Sequence, residues 1–220
     1  MKSAILIANG DIPSKRSINY LLSRNISTII AADGGANSCY KLSLSPDYII
    51  GDFDSIAPKV FSHFEMESKF IKIDRQNDTD VEKALKFAIN KKYKRVYLFG
   101  GTGDRLDHTI CNLGIILKYF AKIQITLIHR KSILVPFHSS VKLKTIPGET
   151  ISLYAFRPET IISSSGLKYE LKKAKLTFGH KESTSNQATS DTVKLQIKGG
   201  LIIVIRDFNL LKKHDLIFPY

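Results

Sequence analysis

The sequence predicts an α/β N-terminal domain, an open and mostly parallel sheet with helices on both faces, followed by an all-β sandwich as the C-terminal domain. Three observations carry this reading. Up to about residue 130, short apolar runs alternate with helical periods, the pattern of a parallel sheet covered on both faces. Beyond that point no long helical period remains, and strand-like runs are punctuated by Pro147-Gly148, Gly166, Gly179 and Gly199-Gly200. Finally, the strand ends of the first part lead into acidic or glycine-rich clusters: Asn9-Gly10-Asp11, Asp33-Gly34-Gly35-Ala36, Gly51-Asp52-Phe53-Asp54-Ser55, Asp78-Thr79-Asp80 and Gly100 to His108. In open α/β sheets ligands bind outside the carboxyl ends of the strands, so clusters decorating those ends in series imply one crevice. The expected domains are residues 1–132 and 133–220.

The elements follow in order. Ala4–Ala8 is a continuous apolar run, as a strand buried on both faces requires. Pro13 opens a helix to about Arg24, with Ile18, Leu21 and Leu22 on one face. Thr28–Ala32 is a strand, Ala36 to about Leu42 a helix, Tyr48–Ile50 a short strand, Pro58–Phe64 a modest helix, and Phe70–Ile73 a strand. Thr79–Asn90 is the clearest helix: Thr79 and Glu82 form a capping box, and Val81, Ala84, Leu85 and Ala88 then recur at helical spacing. Arg95–Phe99 is a strand, Leu106–Phe120 a helix and Ile123–Ile128 a strand. In the second part Val141–Leu143, Thr150–Phe156, Leu171–Phe178, Thr192–Ile197 and Leu201–Ile205 read as strands, with Gly199-Gly200 as the turn of a hairpin. The apolar tail, Leu216 to Tyr220, is expected to pack back onto the body.

Composition narrows the classes. The 220 residues carry a net charge of +13, which invites a nucleic-acid reading. No basic run is interleaved with aromatics, so lysines on solvated faces explain the charge, and no nucleic-acid partner is expected. Cys39 and Cys111 lie far apart on expected helices, outside any metal-type spacing, and read as buried thiols of a reducing compartment. No segment reaches the length of a membrane span, and the N-terminal apolar run is too short for a signal peptide, so a cytoplasmic protein is expected.

The acids of this basic chain concentrate in the clusters, which points to a cation site. Asp52 and Asp54 flank Phe53 just past a strand, where irregular backbone lets both carboxylates reach one hard cation such as Mg²⁺. The plain alternative is a turn whose Asp side chains cap local amides. Asp78 and Asp80 straddle a helix start, where acids also suit the helix dipole; a third carboxylate from Asp80 would complete the metal site. Asp33-Gly34-Gly35 joins strand to helix, where glycines admit a close ligand and first-turn amides hold phosphate, or simply make a tight turn. In the richest segment, Gly101, Thr102 and Gly103 can wrap a phosphate chain, Arg105 can clamp phosphate oxygens, and Asp107 either caps the next helix or meets the ligand. His108 reads as a structural hydrogen-bonding partner before a base. The segment is neither a Walker motif nor a strict dinucleotide fingerprint.

This set, in this order, resembles the thiamine pyrophosphokinase family. The matching pieces are Asp33-Gly34-Gly35-Ala36-Asn37, Gly51 to Ser55, Asp78-Thr79-Asp80 with Glu82-Lys83-Ala84-Leu85, and Gly103-Asp104-Arg105-Leu106-Asp107-His108; Gly166-Leu167-Lys168-Tyr169 and Ser185-Asn186 match more weakly. The resemblance implies an ATP/Mg-binding catalytic domain, a thiamine-binding β-sandwich and a homodimer with substrate sites at its interface. It implies transfer of an intact diphosphate from ATP to the hydroxyl of thiamine, giving thiamine diphosphate and AMP. Carried over, Asp52, Asp54 and Asp80 hold Mg²⁺ and, with Arg105, form the catalytic set. Asp33, Gly34, Gly35, Asn37, Gly101, Thr102, Gly103, Asp104, Arg105, Asp107 and His108 face ATP, while Asp78, Thr79, Ser185 and Asn186 face substrate. Two departures stand out. Gln76-Asn77 occupies a stretch where the family often has a charged pair, and the absence of Trp leaves Phe or Tyr to form any aromatic wall for thiamine. Asp54 and Asp80 are both candidates for the base that takes the hydroxyl proton. The alternatives are diphosphate transfer to another small alcohol, such as a hydroxymethylpterin, or a non-catalytic nucleotide sensor or nucleic-acid binder, which would have no use for so many crevice carboxylates.

Overall fold

The computed structural model describes residues 1–12, 14–74, 77–103 and 105–218. Pro13, Gln76 and Asp104 lie outside the described residues, as does the end of the apolar tail, while Ile217 within that tail is buried. The chain divides into two compact units, Met1–Arg130 and Lys131–Tyr220.

The first unit runs β1 (Ser3–Ile7), α1 (Lys15–Leu22), β2 (Thr28–Ala32), α2 (Gly35–Lys41), β3 (Tyr48–Gly51), α3 (Pro58–Phe64), β4 (Lys69–Lys72), α4 (Asp80–Asn90), β5 (Arg95–Phe99), α5 (Leu106–Tyr119) and β6 (Gln124–His129). Its strands lie in the order β6-β5-β1-β2-β3-β4 and all pair in parallel. Parallel strands covered on both faces must be apolar throughout, and four consecutive residues are buried in each of β1, β2 and β5. α1 begins at Lys15, two residues after position 13, with the Ser14 hydroxyl accepting from the Ser17 amide.

From β1 the chain steps outward to β4 and then crosses back to β5 on the other flank of β1, making the carboxyl ends of β1 and β5 the switch point where such sheets bind ligands. The loops are tied there. The Gly10 amide donates to the Gly100 carbonyl at 2.9 Å and the Asp11 amide to the Thr102 carbonyl at 2.8 Å. A Cβ on Gly10 would collide with the carbonyl oxygens of Thr102 and Gly100, so the position admits only glycine.

The second unit contains β7 (Ser132–Phe137), β8 (Val141–Lys144), β9 (Thr150–Ala155), β10 (Ile161–Ser165), β11 (Ala174–Lys175), β12 (Ser183–Gln187), β13 (Thr192–Lys198), β14 (Ile202–Asp207) and α6 (Phe208–Lys213). The strand order is β12-β9-β14-β7 in one antiparallel layer and β11-β10-β13-β8 in the other. Alternation sets the core: Val193, Leu195 and Ile197 from one layer and Ile151, Leu153 and Val204 from the other are buried. Inside it, Arg206 makes a paired contact with Glu149 at 2.6 and 2.8 Å, with both side chains almost fully buried.

Three expectations are corrected here. Gly199-Gly200 is not a hairpin turn, because β13 and β14 belong to different layers. The pair is a corner, with Gly199 at φ 77 and so close to Glu159 that a Cβ would lie 2.6 Å from its carbonyl oxygen. Of the strand expected over Leu171–Phe178, only Ala174–Lys175 forms a strand, and Thr177 adds an isolated bridge to Ala155. Cys39 is buried, which pushes its thiol up to about 12, whereas Cys111 is exposed on α5.

Candidate active site

The site in the first unit is built from Asp33 outward. Asp33 follows β2 directly at φ 43 and is only 1% exposed. Its carboxylate accepts from the Phe53 amide at 2.8 Å and the Ser55 amide at 3.1 Å, which curls the loop after β3 over it. Burial, and then the negative charge of Asp80, push the Asp33 carboxyl up, against the pull of those hydrogen bonds. Phe53, at φ 74, turns its ring onto Phe61 and Phe70, with centroids 6.2 and 5.3 Å away. Anchoring the aromatic residue in this way leaves its two acidic neighbours at the crevice. Asn37 fixes the exit of the loop, donating to the Ser55 carbonyl at 2.8 Å and accepting from the Ala57 amide at 3.0 Å.

One carboxylate oxygen from each of Asp33, Asp52 and Asp54 lies within 4.8 Å of the others. Asp80 joins through a lysine: the Lys83 ammonium donates to Asp52 Oδ2 at 3.0 Å and to Asp80 Oδ1 at 2.9 Å. That contact holds the Asp52 carboxyl below the usual carboxylate range. For Lys83, burial works against the charge, but the bonds to Asp80 and Asp52 outweigh it and push the pKa up. The donor set is all hard oxygen, so the residues fit a hard divalent cation.

α4 delivers this cluster. Thr79 is its N-cap, accepting from the Glu82 amide at 3.3 Å, and Asp78 takes the Lys86 ammonium at 2.6 Å. Glu82 faces the other way and ties α4 to the end of α5, accepting from Lys118 Nζ and the Tyr119 hydroxyl, each at 2.6 Å. Burial opposes the charge of Glu82, but those two hydrogen bonds outweigh it and hold the carboxyl low.

The loop after β5 forms the opposite wall. Asn112 donates to the Gly101 carbonyl at 2.8 Å, and Thr102 pairs with His129 Nδ1 at 2.6 Å. Arg105 is the N-cap residue of α5, and Asp107 sits in the first turn instead of capping it. The two bind each other at 2.6 Å with both side chains 64% exposed. Arg105 thereby holds the Asp107 carboxyl low. Such an exposed pair costs little to open, so the guanidinium can leave it for a phosphate. His108 is exposed on the same wall. A crevice of about 880 Å³ unites the two walls, lined by Asp33, Gly34, Asp52, Asp54, Asp78 to Asp80, Lys83, Gly100 to Gly103, Arg105, Asp107 and His108. Gly35 opens α2 beside it, and Asn37 lines a separate groove beside α2 and α3.

In the second unit, Ser185 and Asn186 lie on β12 at a register shift, with Ser185 exposed at φ 54. Asn186 is 2% exposed, and its amide is spent on three backbone groups and one hydroxyl. It accepts from the Tyr169 and Gln187 amides at 3.0 and 2.9 Å and donates to the Tyr169 carbonyl at 2.8 Å and Ser183 Oγ at 3.2 Å. It thus joins the Gly166–Tyr169 segment to β12 and leaves the Tyr169 ring 66% exposed.

Sequence reasoning assigned no separate role to Lys83, read Glu82 as the capping-box partner of Thr79 where its carboxylate instead meets Lys118 and Tyr119, and passed over Asn112. For the first two a signal existed in the i, i+3 spacing of Asp80 with Lys83 and the i, i+4 spacing of Glu82 with Lys86.

Comparison with known proteins gives a consistent result. Residues 20–127 match the family model described as "Thiamin pyrophosphokinase, catalytic domain", and residues 138–202 match "Thiamin pyrophosphokinase, vitamin B1 binding domain". The chain is similar to thiamin pyrophosphokinase 1 of Caenorhabditis elegans, 28% identical over 84% of this chain and 82% of that protein. It is also similar to thiamine pyrophosphokinase of Bacillus subtilis, 26% identical over 80% of this chain and 86% of that one. Among solved structures, the B. subtilis thiamine pyrophosphokinase superposes with a TM-score of 0.80 at 24% identity, covering 94% of this chain and 99% of that one. The Candida albicans thiamin pyrophosphokinase gives 0.79 at 22%, covering 93% and 90%. At that identity the two structures speak for the fold alone.

Proposed function

The chain belongs to the thiamin pyrophosphokinase family, and from that premise we propose that the strand-end crevice of the first unit binds ATP with Mg²⁺ while the second unit receives thiamine. The chain is an ATP-dependent diphosphotransferase: the diphosphate of ATP passes to the hydroxyl of thiamine, giving thiamine diphosphate and AMP. Every relative described above carries thiamine in its name, which leaves the pterin acceptor without support.

One observation carries the assignment of the crevice. Carboxylates from the ends of β3 and β4 and the glycine loop after β5, distant in sequence, line a single cleft at the switch point of the sheet. Asp52, Asp54 and Asp80 are the residues that would hold Mg²⁺, and Mg²⁺ when bound supplies neutralisation of polyphosphate charge. The chain's own groups do the positioning. Asp33 and Asn37 hold the acidic loop in shape; Gly101 to Gly103 offer a close backbone approach for the phosphates; Arg105 exchanges Asp107 for phosphate oxygens. The thiamine hydroxyl oxygen forms a bond to the β-phosphorus, the bond from that phosphorus to the oxygen of the α-phosphate breaks, and AMP carries that oxygen away. The hydroxyl proton passes to a crevice carboxylate, Asp54 or Asp80, and whichever keeps a metal bond is the weaker acceptor. In the second unit, Ser185 and the exposed ring of Tyr169, held by Asn186, form the surface we assign to thiamine.

Homodimer formation belongs to the same proposal. The exposed apolar residues Leu106 and Ile110, one turn apart on α5 beside the crevice, support it. A cytoplasmic location fits the two free cysteines. No helix among the described residues is long and apolar enough to cross a membrane. Incubation of the purified protein with Mg·ATP and thiamine, with separation of products, tests the reading. Equal amounts of AMP and thiamine diphosphate are expected. ADP with thiamine monophosphate would overturn the bond assigned to break, and no product would overturn thiamine as the acceptor.

A further inference from the structure

The two carboxylates that bind Lys83, Asp52 and Asp80, are two of the three assigned to the metal. Lys83 sits in the first turns of α4 with a side chain only 3% exposed, and its ammonium reaches both aspartates at hydrogen-bond distance. Asp54 and Asp33 crowd the same point. An ammonium buried at this depth needs its partners, and the partners, four aspartates in one place, need positive charge. The geometry therefore sets Lys83 and a divalent cation in competition for the same oxygens.

We propose, resting on the metal assignment above, that Lys83 is a positioning residue acting as the resident counter-ion of the site. With no metal present it bridges Asp52 and Asp80 and keeps them together. It repels a bare divalent cation entering the cluster, since like charges a few ångströms apart interact strongly in a partly buried site. A metal arriving with a polyphosphate is different, because the phosphate oxygens compensate both cations at once. Lys83 thus favours the metal–nucleotide complex over free metal.

The test is Mn²⁺ binding to the nucleotide-free protein, followed by electron paramagnetic resonance, in wild type, Lys83→Met and Lys83→Arg. The expected result is Mn²⁺ affinity at least about tenfold tighter in Lys83→Met, with Lys83→Arg close to wild type and the KM for Mg·ATP raised in Lys83→Met. Unchanged or weaker Mn²⁺ binding in a folded Lys83→Met protein overturns the proposal, leaving Lys83 a structural ion pair or an orienter of ligands; so does absence of Mn²⁺ binding in all three. If Lys83→Met does not fold, the wild type decides. In the wild type the Lys83 side-chain ¹H–¹³Cε resonance reports on the ammonium. That resonance is expected to shift when Mg²⁺ is added without nucleotide, and a resonance that stays fixed while Mg²⁺ binds overturns the idea. None of these readouts involves thiamine, so a failure of the acceptor assignment and a failure of this one give different results.

Discussion

The acidic loop after β3 and the Ser185–Asn186 stretch of β12 are both short polar signatures, and the fold uses them in opposite ways. In the first, a buried residue from elsewhere, Asp33, takes the Phe53 and Ser55 amides; Asp52 Oδ1 accepts from the Asp54 amide at 3.5 Å and Asp54 Oδ1 from the Ser55 hydroxyl at 2.9 Å, and both carboxylates still line the crevice. In the second, Asn186 itself is the buried organiser, accepting twice and donating twice, which is the whole capacity of an amide side chain. A polar residue in a motif is thus either what meets the ligand or what holds the residue that does. Burial and hydrogen-bond saturation separate the two.

That contrast breaks most visibly at Asp52. Asp52→Asn keeps the shape of the side chain and removes its charge. Turnover should fall on the order of 10²- to 10³-fold, since an electrostatic group aimed at transferring phosphate is lost. The melting temperature should move little by comparison. Rates of AMP release set beside thermal melts check this, and a loss of activity no larger than the loss of folded protein would place Asp52 with the organisers.

The next effect in size belongs to Asn186. Asn186→Ala strips partners from the Tyr169 amide and carbonyl and from the Gln187 amide, and should cost about 2 kcal/mol in urea unfolding. The KM for thiamine should rise while kcat with saturating thiamine changes little, because the residue shapes the surface without touching the reacting phosphorus. A collapse of kcat at unchanged stability would make Asn186 a ligand contact instead.

The same division explains what could be read in the sequence. The first unit was legible because its strands are continuous apolar runs and its helices carry a clear period, as α4 shows. The second unit hid more. β7 contains Pro136, which argues against a strand, yet it pairs with β14 along its whole length; β12 reads Ser-Thr-Ser-Asn-Gln, with no apolar alternation at all. Both are strands because of their neighbours. In the candidate site, type and spacing put Asp52, Asp54 and Asp80 in one crevice, and all three line it. The bridge through Lys83 was not legible, because its contact with Asp80 is an ordinary i, i+3 helix pair whereas its contact with Asp52 spans 31 residues of sequence.

Glu82 sharpens the comparison from the organiser's side. Its carboxyl is held low in the folded protein, so its contribution to stability is present above its ordinary value of 4.5 and is lost as pH falls through the folded value. Glu82→Gln should lower stability at pH 7 by about 1–2 kcal/mol and flatten the loss of stability on acidification from pH 5 to pH 3. Urea melts across that range provide the measurement. An unaltered acid limb in the variant would mean that other carboxylates, and not the tie between α4 and α5, set acid sensitivity.

The smallest expected effect falls on Thr79, which lies between Asp78 and Asp80 and so in the middle of the assigned site. Its hydroxyl accepts from the Glu82 amide and caps α4. Replacing an N-cap threonine by alanine costs about 1 kcal/mol. If capping is its whole role, Thr79→Ala should lose that amount in stability with little change in KM for either substrate, and Thr79→Ser should restore it. If Thr79 meets substrate, KM should rise well beyond what the stability loss explains. Because α4 carries Asp80 and Lys83 on its first turns, the Thr79→Ala variant also asks whether fraying that end loosens the acidic cluster. Mn²⁺ affinity that follows the loss of the cap would show that the helix start positions the cluster, and an unchanged affinity would show that the contacts among Asp52, Asp80 and Lys83 hold it unaided.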